Sequence, residues 1–113
     1  LEHVNPSTGL PLKHDPVVLA WETGNELIGA DAIWTQSIAY LIKHEIGAKQ
    51  LVLDGRDLVR DMEANLPYEE EFLLNTPDVD IITEHRYYDS LVSPERAAQA
   101  RDVGKKAYLL GEL

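Results

Sequence analysis

Four apolar runs, set between helical and turn-rich stretches, constrain this chain more than any single motif. They are "VVLAWET" (17–23), "QLVLDG" (50–55), "VDIITEH" (79–85) and "KAYLLGE" (106–112). Each is nearly continuous in apolar residues, as strands covered on both faces must be. Between the first two, "DAIWTQSIAYLIKHEIG" (31–47) predicts a helix, with Asp31 as its N-cap and Gly47 as its stop. Trp34, Ile38, Leu41, Ile42 and Glu45 fall at helical spacing, so this stripe is expected to pack on the core. The stretch 56–77 predicts a short helix followed by a loop, in which Glu69, Glu70 and Glu71 form a solvated acidic face. "SPERAAQARDVG" (93–104) predicts another helix, with Ser93 as cap, Pro94 at the first helical position and Gly104 at the end.

Strand, helix, strand, helix, strand, helix, strand is the order of a parallel α/β sheet. The turn-rich opening "NPSTGLPLKHDP" carries Pro6, Gly9, Pro11 and Pro16 ahead of it. Each strand runs out into polar residues: "TGNE", "DG", "EHRYY" and "GE". In parallel α/β folds the functional groups collect at these carboxyl ends. The chain has neither a G-x-G-x-x-G nor a Walker loop to mark a nucleotide-binding sheet. Acids supplied by several strand ends suit a (β/α)8 barrel, which needs roughly 250 residues. The expectation is therefore half of such a barrel over 1–113, truncated at both ends. Its parallel strands lie near 17–23, 50–54, 79–85 and 106–112, and its helices near 31–46 and 94–103.

The bulk properties narrow the partners. A chain of 113 residues makes one domain. A net charge of −10 argues against nucleic acid and anionic membranes, both of which are held through Lys and Arg. No apolar run approaches the roughly 20 residues of a membrane helix. There is no Cys, so neither a disulfide framework nor thiolate chemistry. "HEIGA" has Ala48 where a zinc protease needs its second His, "DGRD" lacks the rest of a calcium loop, and no nucleophile elbow is present. No metal or other cofactor is expected.

What remains is carboxylate chemistry. With period-two alternation, Glu26, His85, Tyr87 and Glu112 ring one cleft. Glu22 then lies lower, buried inside the barrel and structural, and Asn25 leans beside Glu26. Asp54 either touches a sugar or turns the chain with Gly55. His85 reads equally as a structural histidine or a substrate contact. Two carboxylates across a cleft are the machinery of glycoside hydrolysis: one protonates the leaving oxygen, the other attacks the anomeric carbon or activates water.

"WETGNE" (21–26) resembles the W-E-x-x-N-E strand motif of glycoside hydrolase family 5, and "EHRYY" and "YLLGE" resemble that family's His-x-Tyr and nucleophile strands. The resemblance covers barrel strands 4 to 7, nearly the whole chain. It implies Glu26 as general acid/base, Glu112 as nucleophile, and Asn25, His85 and Tyr87 as substrate-binding residues. Tyr88 takes the place of Tyr87 if the register slips by one. The lead-in, with Asn5, Thr8, Gly9, Lys13, Asp15 and Pro16 in the spacing N-x-x-T-G-x-x-x-K-x-D-P, is similar to the fungal-type endo-β-mannanase branch. Arg86 departs from the pattern, and the family's Arg and Trp on flanking strands have no counterpart. The resemblance implies a secreted, retaining hydrolase of β-1,4-linked polysaccharide, with β-mannan favoured. A β-1,4-glucanase is one alternative; an inactive half-barrel serving only assembly is another. Unpaired sheet edges predict self-association.

Overall fold

A computed structural model of the protein describes residues 1–56, 69–85 and 94–112. Four strands form one sheet: β1 (Ala20–Glu22), β2 (Leu51–Leu53), β3 (Ile81–His85) and β4 (Ala107–Glu112). They lie in sequence order, and every neighbouring pair is parallel. A doubly wound sheet reverses its strand order at a switch point. This one advances steadily in one direction, as barrel strands do. The α/β half-barrel expectation is met.

The strands begin later than their apolar runs. Asp15 accounts for β1: its carboxylate accepts the Val17 amide at 3.0 Å and its carbonyl accepts that of Val18 at 3.1 Å. These donors are spent on a turn, and the ladder opens only where Leu51 donates to the Leu19 carbonyl at 3.2 Å. Asp15 also explains the lead-in motif. Asn5 and Thr8 both donate to its other carboxylate oxygen, at 2.7 and 2.6 Å. Gln50 fastens this plug to the sheet, donating to the carbonyls of Leu12 and Asp15 and accepting from the Trp21 indole.

Helix α1 (Ala32–Tyr40) starts as expected, with the Asp31 carboxylate accepting the Trp34 amide at 2.7 Å. It continues through a wider π-helical turn (Leu41–Glu45) and stops at Gly47, whose φ of 72° suits glycine. The buried face differs from the expected stripe. Thr35, Ala39 and Ile42 are buried, whereas Trp34 and Leu41 are each 43% exposed. Polar contacts set this phase. Gln36 and His44 hold Asp78, and Lys43 holds Asp80, so the edge carrying residues 36, 43 and 44 turns toward the approach to β3. Trp34 is carried outward.

Helix α2 (Glu69–Asn75) stands where a loop was expected, burying Phe72 and Leu73 and leaving Glu70 and Glu71 exposed as anticipated. Residues 57–68 and Ser93 lie outside the described residues. Helix α3 (Pro94–Gln99) opens on Pro94 and runs through a π-helical turn (Ala100–Gly104). The left-handed residue there is Lys105, not Gly104. Gly104 serves packing instead, since a Cβ on it would lie 3.1 Å from Leu73 Cδ2.

The core lies between sheet and helices. Val52 and Ile82 meet Ala39, Ile42, Phe72, Leu73 and Ala100, with Trp21 and Tyr108 packed alongside. The other sheet face is open at Glu22, Leu51 and Leu109, which are exposed, whereas Ile81 and Thr83 on it are buried. Glu22 was expected to be buried there. It is exposed, so its carboxylate stays in water. No described helix is long and apolar enough to cross a membrane.

Candidate active site

The carboxyl ends of β1, β3 and β4 converge. From β1 the chain turns sharply through Thr23–Leu27. Thr23 donates its amide to the Leu53 carbonyl at 3.0 Å, and its hydroxyl bonds the Asp54 carbonyl. The Leu27 amide then returns to the Gly55 carbonyl at 3.0 Å. Between these ties Glu26 adopts φ 51°, a left-handed conformation that carries a steric cost for any residue with a Cβ. Its carboxylate is delivered to β3, where Glu26 Oε1 lies 3.2 Å from His85 Nδ1.

Glu112 arrives by a route that strict alternation would miss. Ile82 pairs with Tyr108 and Glu84 with Leu110, all pointing to the helix side. Continued period two would put Glu112 on that side as well. A β-bulge intervenes: His85 pairs with Glu112, leaving Gly111 as the extra residue. The bulge moves Glu112 to the open face, and its Oε1 lies 3.7 Å from His85 Nδ1. One donor atom each from Glu26, His85 and Glu112 falls within 4.8 Å of the others. The His85 side chain is 9% exposed, against 24% for Glu26 and 44% for Glu112. Imidazole at the floor and two carboxylates at the rim leave a reacting group approachable from solvent.

Gly111 is required by this arrangement. A Cβ there would lie 2.9 Å from His85 Nε2 and 3.1 Å from its Cδ2. Gly111→Ala is expected to push the ring off its seat and away from Glu26. Misplacement on the order of 1 Å can cost about 100-fold in rate. Parallel rate and circular-dichroism measurements test this: a folded variant with wild-type turnover would show that the ring position is immaterial.

Asn25 is exposed beside Glu26. Tyr87, with Arg86 and Tyr88, lies outside the described residues. Asp54 does not face the cleft; it is wholly buried, which removes the sugar-contact reading. Its Oδ1 accepts the Thr83 amide at 2.7 Å and the Thr83 hydroxyl at 2.9 Å. Burial pushes its carboxyl up to about 6, against the lowering effect of the Thr83 bonds and the Arg56 charge. Sequence reasoning missed both this link and the bulge; Gly111 was the one visible trace of the latter. Among the described residues, Glu26, His85 and Glu112 are also the grouping of His and carboxylate donors close enough to share a cation. Their arrangement equally serves proton transfer and attack at a carbon between the carboxylates.

No family model matches the chain, and no curated relative does. A solved structure is similar: a glycoside hydrolase family 5 mannosidase from Rhizomucor miehei, with a TM-score of 0.68 and 22% identity. The match covers 96% of this chain and 30% of that one. The fold of this chain is thus that of part of a family 5 barrel.

Proposed function

We propose that this chain carries the carboxylate pair of a retaining glycoside hydrolase that cleaves β-1,4-linked polysaccharide. The supporting observation is that Glu26, from the turn after the first strand, and Glu112, from the last strand, meet over one histidine within 4.8 Å. Retaining enzymes hold their carboxyl groups about 5–5.5 Å apart, whereas inverting ones need about 6.5–9.5 Å for an intervening water. An oxygen of each acid within 4.8 Å of the other suits the shorter separation.

In the first step Glu112 forms a bond to the anomeric carbon as the glycosidic C–O bond breaks, and Glu26 gives its proton to the departing oxygen. In the second, water adds its oxygen to the anomeric carbon and its proton to Glu26, releasing Glu112. His85, seated beside both carboxylates, fixes their orientation. Asn25 is assigned to the sugar 2-hydroxyl and Tyr87 to orienting the nucleophile. β-Mannan is the favoured substrate, supported by the lead-in motif and by the mannosidase neighbour, with an extracellular polysaccharide as partner. Turnover is assigned to a complete barrel. As a separate polypeptide this chain exposes Leu51 and Leu109 on its open face and two sheet edges, which favours self-association over catalysis.

The test is the stereochemistry of the product. A complete barrel containing this chain, given β-1,4-manno-oligosaccharide, is expected to release β-anomer first in proton NMR spectra taken before mutarotation. Initial α-anomer ends the double-displacement reading. Release from β-1,4-glucan but not from mannan moves the assignment to a glucanase, and hydrolysis of neither leaves the half-barrel an assembly unit.

A further inference from the structure

Three consecutive residues after β2 touch both sides of the candidate site. Asp54 grips β3 through Thr83, two positions before His85 and on the same face. Its carbonyl accepts the Thr23 hydroxyl. Gly55 accepts the Leu27 amide, next to Glu26 in the chain. Gly55 also takes φ 64°, and a Cβ on it would fall 2.1 Å from the Gly24 carbonyl oxygen, so the two loops are in direct backbone contact. Arg56 pairs with Leu27 in an isolated parallel bridge and lies over the Phe72 ring at 4.1 Å. The left-handed Glu26 backbone is not a conformation that its own sequence favours, so neighbours must hold it.

We propose that Asp54 is a positioning residue for proton transfer at Glu26: by pinning Thr83 through its side chain and the Thr23–Leu27 loop through its own backbone and that of Gly55, it sets the Glu26–His85 contact. The inference rests on the glycosidase reading above. A carboxylate oxygen suits the task because two donors from one residue converge on it. Asp54 Oδ2 accepts no hydrogen bond among the described residues, and the raised carboxyl fits so dry a site. The group is retained for the geometry of Oδ1, which an amide oxygen reproduces.

The experiment compares two β-mannosides on the complete barrel: one with a dinitrophenyl leaving group, which departs without a proton, and one with a sugar leaving group, which needs it. Asp54→Ala is expected to lose about 10- to 100-fold in kcat/KM on the second and little on the first. Asp54→Asn, which keeps the acceptor, is expected to stay near wild type on both. Thr83→Val, lacking one of the two donors, should show a smaller loss of the same kind, and it carries the test if the Ala variant does not fold. Equal losses on both substrates, or an Asn variant as impaired as Ala, overturn the proposal. Glu26→Gln is the control. If it shows no leaving-group dependence, the glycosidase assignment itself fails, whereas a normal control with unbiased Asp54 variants removes the positioning role alone.

Discussion

Glu112→Gln in a complete barrel is expected to lower kcat/KM on mannan by about 10^4-fold or more, the scale set by losing a nucleophile whose partners stay in place. Glu26→Gln should cost about 10^2- to 10^4-fold on the same substrate, the range of general acid–base catalysis. The two acids are distinguished by chemistry as well as size. With Glu26→Ala, azide can enter the cavity and attack the glycosyl–enzyme, giving a glycosyl azide with retained configuration. With Glu112→Ala, azide replaces the nucleophile, Glu26 still protonates the leaving group, and the azide product is inverted. Identical products from both variants would mean that the residues do not divide acid and nucleophile between them. Unchanged turnover in either Gln variant would remove that residue from the site.

This division depends on a feature of β4 that period-two reading gets wrong. Alternation put Glu112 on the same side as Tyr108, and the ring of site residues was drawn on that basis. In the structure Tyr108 packs with the core and bonds Glu84, and Glu112 reaches His85 only because Gly111 is bulged out of register. That Glu26, His85 and Glu112 would lie near one another was legible in the sequence because strand ends in a parallel sheet open toward one rim, whichever way each side chain points. The mechanism by which Glu112 gets there was not, since a bulge leaves no periodic trace in a six-residue strand. Glu22 failed for a different reason: its burial was inferred from a closed barrel, and no described residue closes over it. The phase of α1 failed because it was read from apolar residues alone. It is set by Gln36, Lys43 and His44, whose partners Asp78 and Asp80 are distant in sequence. Asp54 was weighed as a sugar contact or a turn residue. Its real partner, Thr83, lies on another strand, and nothing local announces such a pairing.

The largest expected loss of stability lies directly behind the site, at Glu84. This carboxylate is fully buried and precedes His85 on β3. Arg96 from α3 donates to Glu84 Oε1 at 2.8 Å, and the Tyr108 hydroxyl from β4 bonds its other oxygen. One acid therefore ties a helix to two strands, with the candidate site on the opposite face of the same strands. Taking a charged group out of water is recovered only through such partners. Arg96→Met removes the cation and leaves the carboxylate in the core. Breaking a buried pair from one side costs about 3–5 kcal/mol, against a margin of about 5–15 kcal/mol for a whole domain. In a complete barrel the urea midpoint should fall accordingly. Adding Glu84→Leu and Tyr108→Phe to Arg96→Met should recover most of the loss, because apolar groups of similar volume then replace the carboxylate together with its Arg96 and Tyr108 partners. Recovery distinguishes an uncompensated buried charge from lost packing. If Arg96→Met lies within about 0.5 kcal/mol of wild type, the range of ordinary surface changes, the pair does not anchor α3.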